Sequence, residues 1–239
     1  MIIRNYLKGC EKMLHVHIQS GSYQPNQPVI RDIDFHLTSG ELLIMIGSNG
    51  AGKSTTLKAI MGQLPFLEGE VVFQKNIRYS FIPERPVFYD ELTLQEHLQF
   101  IADIEEMPEA EWKPRAEEWL EKFQLKKVLH ELPGTFSKGM QQKAMLLLAL
   151  LTKPSLWIID EPFMGLDPSA VKLFMKLIQE ERKRGAGILM CTHILDTAEK
   201  IGDRFIIISE GTSSAYGTLQ EVLEGYGAED LYGCIPEAE

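Results

Sequence analysis

A chain of 239 residues is long enough for one large domain or two small ones and for a substantial buried core. Its formal net charge of −10 excludes a surface built to neutralise nucleic-acid phosphates, which needs clustered Lys and Arg. Three widely spaced cysteines, Cys10, Cys191 and Cys234, form no C-x-x-C pair and suit a reducing compartment, and the longest apolar run, 144–151, falls far short of the roughly 20 residues a bilayer span requires.

Residues 1–12 read as an N-terminal extension. Charges at Arg4, Lys8, Glu11 and Lys12 leave no apolar core for a cleaved signal, and Met13 is an alternative start. Residues 14–18, 29–37, 42–46 and 71–73 alternate or cluster apolar side chains as short strands, a β-rich start interrupted by a glycine loop and its helix. Pro83 and Pro86 then break the chain. From about 86 to 152 the pattern is a helical insertion, opened by the capping-box pair Thr93 and Glu96. Residues 156–159 and 187–190 are continuous apolar runs separated by a helical stretch, 169–184, and 204–208 supply one more strand. This is βαβ order, which implies parallel strands with helices on the faces. Residues 226–239 read as an acidic, weakly held tail, and 13–225 as a single domain.

The loop Gly47, Ser48, Asn49, Gly50, Ala51, Gly52, Lys53, Ser54 and Thr55 fits G-x-x-x-x-G-K-[ST], with an apolar strand before it and a helix after it. Glycines let successive amide N–H groups curl toward phosphate oxygens, and the helix adds the positive end of its dipole. Lys53 can reach β- and γ-phosphates, and the Ser54 hydroxyl can ligate Mg²⁺. A second pair, Asp160 and Glu161, stands at the C-terminal end of a buried strand, where ligands sit in open α/β sheets. Asp160 would hold Mg²⁺ and Glu161 would orient or deprotonate a water attacking the γ-phosphate.

The segment Phe136-Ser137-Lys138-Gly139-Met140-Gln141-Gln142, standing shortly before Asp160, resembles the signature of the ATP-binding cassette (ABC) ATPases, and the resemblance spans nearly the whole chain. It implies a P-loop α/β fold of the ABC type, with a mostly parallel sheet core, an antiparallel β subdomain near the N-terminus and the helical insertion. It also implies a Mg²⁺-dependent ATP hydrolase that dimerises head to tail around two ATP. Ser137 and the Gly139 amide would then act on the nucleotide of a second copy, while Ser137 is equally a helix N-cap. Tyr23 stands where an aromatic residue stacks on adenine, although a lone tyrosine is often a packing or surface residue. Gly165-Leu166-Asp167 matches a loop that crosses the dimer interface, and Asp167 before Pro168 is equally a cap and first-turn pair. His193 matches the switch histidine that links the γ-phosphate to Glu161.

Two departures stand out. Glu84 occupies the position of a glutamine that senses metal and attacking water, and Lys138 and Met140 replace a glycine and a glutamine of the signature. Both departures resemble the ATP-binding subunit of Ecs-type bacterial exporters. The resemblance implies a motor subunit, cytoplasmic and peripheral on the inner face of the cell membrane, that drives a separate membrane-spanning permease, with Pro86-Val87-Phe88-Tyr89 as candidate contact. The alternatives are a soluble ABC ATPase of DNA repair, chromosome organisation or translation, and a nucleotide-binding regulatory switch without turnover. The first carries long coiled coils, zinc-binding cysteines or two cassettes, none of which this sequence shows.

Overall fold

The computed structural model describes residues 12–163 and 165–235. Cys10, the extension before Lys12 and residues 236–239 lie outside them.

Strand β1 (Lys12–Ser22) alternates as a half-buried strand should, with Leu14, Val16 and Ile18 buried and His17 and Gln19 exposed. It pairs antiparallel with β2 (Ile30–Thr38) and with β4 (Phe66–Phe73), so that Val16 lies opposite both Phe35 and Val71. β4 begins five residues before the apolar run that signals it. Gly69 at φ 113° and the outward Glu68 and Glu70 hide its first half from any hydrophobic pattern. A Cβ at Gly69 would stand 2.2 Å from the His17 carbonyl, so this close strand approach requires glycine.

The second half of the sheet is parallel. β3 (Leu42–Ile46), β6 (Leu156–Asp160), β7 (Gly187–Cys191) and β8 (Arg204–Ser209) lie side by side, and β5 (Tyr79–Ile82) closes one edge. With β9 (Thr212–Gly217) the strands form one nine-stranded sheet in the order β4-β1-β2-β9-β8-β3-β7-β6-β5. Leu42, Ile44 and Ile46 belong to one core and Leu43 and Met45 to the other, so β3 is buried on both faces and reads as an unbroken apolar run.

One core is capped by α1 (Lys53–Ile60), through Leu57 and Ile60, together with the β1–β2–β4 layer. The other holds α2 (Leu94–Ile104), α3 (Glu109–Lys122), α4 (Lys138–Leu151) and α5 (Pro168–Lys183). The helical insertion shares this core with the sheet, because Leu98, Trp119 and Leu147 join the same cluster as Trp157 and Met190. The capping box at Thr93 and Glu96 is formed as expected. The chain finishes with α6 (Leu195–Ile201), α7 (Leu219–Tyr226) and a short turn, Leu231–Cys234.

That last turn corrects the expectation of a weakly held tail. Leu231 and Cys234 are buried, and the Leu231 N–H donates to Glu199 Oε1 on α6 at 2.7 Å. Two apolar anchors outweigh an acidic composition when a neighbouring helix offers both a groove and an acceptor.

Candidate functional site

The parallel strands bring their C-terminal ends to one edge, with β7 between β3 and β6. The loop leaving β3 turns sharply. Gly50 and Gly52 lie at φ 83° and 110°, and a Cβ on Gly47 would stand 2.2 Å from the Ile208 carbonyl. Gly52 is the N-cap of α1, so the helix's first amides face the loop's concavity.

Lys53 opens that helix and is 8% exposed, with Nζ donating to the carbonyls of Gly47 (2.8 Å) and Ser48 (3.1 Å). Ser54 Oγ donates to Asp160 Oδ2 across the sheet end at 3.0 Å. A cleft of about 270 Å³ is lined by Asn49, Gly50, Gly52, Lys53, Ser54, Thr55, Glu84, Asp160 and Glu161. Gly47, Ser48 and Ala51 shape the loop without lining this cleft.

Three carboxylates face one ammonium there. Burial pushes the Asp160 carboxyl above its usual range, the charge of Glu84 adds to that, and the Ser54 hydroxyl pulls the other way. Hydroxyl and carboxylate oxygens with surplus negative charge suit a hard cation. Among the described residues no three His, Cys, Asp or Glu side chains are grouped to hold a metal unaided. The Ser54 hydroxyl and the Asp160 carboxylate are oxygen donors of the kind Mg²⁺ takes, and they would hold it from one side.

Glu161 is held in an uncommon shape. Its φ is 48°, a left-handed backbone that costs a β-carbon residue energy, and its N–H donates to the Cys191 carbonyl at 3.0 Å. Oε2 accepts from the His193 N–H at 3.3 Å and meets His193 Nδ1 at 2.8 Å, so Nδ1 carries the proton when Glu161 is ionised. Burial raises the Glu161 pKa and His193 opposes the shift. A carboxylate serves as base only when deprotonated. With Glu161 as the proposed base, the ATPase rate should fall as pH is lowered, with an acid limb above the ordinary glutamate value of about 4.5, read from the pH profile of kcat.

Tyr23 follows β1 and is half-exposed. Its hydroxyl lies 3.4 Å from Thr55 Oγ1, and Lys58 Nζ stands 5.4 Å from its ring centre. Its ring thus sits beside the start of α1 with the Lys58 ammonium over it. Ser137, Gly139 and Asp167 lie outside the cleft. Ser137 caps α4, with Oγ accepting from the Met140 N–H, and Asp167 caps α5.

What fixes the loop from behind lies outside the motifs. The Gly211 N–H donates to the Ala51 carbonyl at 2.9 Å, and Glu210 and Gly211 both have positive φ in the β8–β9 hairpin. The Glu-Gly pair is the only local signal of that turn.

A family model described as "ABC transporter" matches residues 30–164. The uncharacterised ABC transporter ATP-binding protein YthP of Bacillus subtilis is 48% identical, over 95% of this chain and 96% of that protein. The ABC-type transporter ATP-binding protein EcsA of the same organism is 40% identical, over 91% and 92%. A solved structure described as the ATP-binding subunit of an ABC transporter superposes with a TM-score of 0.87 at 39% identity, covering 93% of this chain and 97% of that one. The similarity to EcsA agrees with the resemblance to Ecs-type ATP-binding subunits. The chain belongs to the ABC transporter family, among its ATP-binding, ATP-hydrolysing subunits.

Proposed function

We propose that this subunit binds ATP with Mg²⁺ at the loop 47–55 and closes head to tail on a second ABC ATPase chain. Hydrolysis assisted by Glu161 would reopen the pair and move a separate membrane-spanning permease. The observation that carries the proposal is the placement of Glu161. A strained backbone and His193 aim a buried carboxylate into the same cleft as Lys53 and Ser54.

In this reading Lys53 and the loop amides take the phosphates, and Ser54 and Asp160 would hold Mg²⁺, with Glu84 beside them. The cation would neutralise phosphate charge when bound. Glu161 would accept a proton from the attacking water, and His193 would hold the carboxylate in place. Tyr23, half-exposed beside the loop, would stack on the base. Ser137 and the Gly139 amide, outside their own cleft, are free to meet the nucleotide of the second chain.

A groove of about 380 Å³ between Pro83, α2 and α4 supports a permease contact. Its wall includes Val87, Ile104 and Met145, and Val87 is 75% exposed. Phe88, by contrast, packs edge-on against His97, so only part of Pro86-Val87-Phe88-Tyr89 faces outward. No helix among the described residues is long and apolar enough to cross a membrane; the permease of this proposal is a separate polypeptide. The proposed place is then the cytoplasmic face of the cell membrane.

Replacing Val87 with glutamate should leave the basal ATPase of the isolated chain within about twofold and abolish co-purification with a multi-span membrane protein encoded next to it. Undiminished co-purification would remove the groove from the proposal.

A further inference from the structure

Two contacts inside one chain join segments that the head-to-tail arrangement would present to the other. Gly139, in the first turn of α4, lies against the loop before α5, where a Cβ would stand 3.0 Å from the Gly165 carbonyl. One turn along the same helix face, Lys143 Nζ donates to Asp167 Oδ2 at 2.8 Å. The Lys143 side chain is 19% exposed, so its stem is packed while its ammonium is fixed on one partner. Both Asp167 oxygens are engaged within its own chain. Oδ1 accepts from the Ala170 N–H at 2.9 Å and from the Ser169 hydroxyl, and Oδ2 accepts from Lys143. Those three donors hold its carboxyl well below the usual carboxylate range.

We propose that Lys143 and Asp167 are positioning residues that strut α4 to the 165–167 loop within one chain. Through them the Ser137–Gly139 surface keeps register with Glu161, four residues before Gly165. Asp167 then acts on its own chain rather than by reaching for nucleotide. The strut couples the face that closes a partner's site to the carboxylate that serves its own. This rests on the head-to-tail reading above.

The test uses the full chain with Glu161→Gln, which holds ATP without turnover, and follows ATP-driven dimerisation by sedimentation. Lys143→Met keeps the packed stem and deletes the charge. It should raise the chain concentration for half-dimerisation about tenfold, while ATP affinity of the monomer stays within about twofold, because the nucleotide contacts lie elsewhere. Asp167→Asn keeps a good helix cap and loses the ion pair. It should match Lys143→Met, the double variant should be no worse than either single, and Lys143→Arg should recover dimerisation. Effects that multiply in the double variant, or an unchanged midpoint in Lys143→Met, would overturn the strut. Equal losses of monomer ATP affinity would show general damage and overturn it as well. A Glu161→Gln chain that stays monomeric at saturating ATP removes the head-to-tail reading, and the strut with it.

Discussion

Glu161→Gln is expected to lower the ATPase kcat by about 10²–10⁴-fold while leaving ATP bound, since a positioned general base contributes a factor of that order. Glutamine has nearly the same shape, so it can occupy the same backbone turn and still accept the His193 N–H through its amide oxygen. What it cannot do is take a proton. ATP affinity should hold or rise, because one of the three carboxylates lining the cleft is gone and phosphate meets less negative charge. The melting temperature should rise as well. A carboxylate with a raised folded-state pKa costs stability above that pKa, and the cost vanishes only below its unfolded value of about 4.5. Stopped-time ATP hydrolysis, filter-bound nucleotide and thermal unfolding read the three effects. A drop in kcat of less than about tenfold would take Glu161 out of the catalytic role.

The stability cost concentrated at Glu161 also shows where sequence reading reaches its limit. The motif gives a carboxylate at the end of a buried strand, but nothing in Trp157–Glu161 announces a left-handed backbone, which comes from the amide reaching the Cys191 carbonyl on the adjacent strand. Strands buried on both faces, such as Leu42–Ile46 and Gly187–Cys191, are legible because burial on two sides demands continuous apolar residues. β5 and β9 are not. Thr212–Gly217 has one large aromatic and several small polar residues, and becomes a strand only because β8 lies alongside to pair Ile206 with Tyr216. The same asymmetry runs through the site. Lys53, Ser54 and Asp160 are fixed by spacing within motifs, whereas the Gly211 clamp on Ala51 and the Lys143–Asp167 pair join segments brought together only by the fold.

Lys53→Met should weaken ATP binding by roughly 10²-fold and take hydrolysis down with it, since one or two charge-assisted hydrogen bonds of about 1.5–3 kcal/mol each would be lost. The ammonium is the only cation lining the cleft among the described residues, set against three carboxylates, and Lys58 acts on Asp160 only from outside that lining. In the structure it is pinned on the carbonyls of Gly47 and Ser48. Those contacts keep the buried charge solvated by protein dipoles beside the cleft that Lys53 lines. Methionine fills the same slot without the charge, so the loop should persist, at a cost of a few degrees in melting temperature for two carbonyls that lose their side-chain donor. Lost binding in a folded chain is therefore the diagnostic result, and calorimetric titration with circular dichroism separates it from unfolding. If Lys53→Met bound ATP within about threefold of the unaltered chain, the Lys53 ammonium could not be a phosphate contact, and the loop amides and the metal would have to offset the three carboxylates without it.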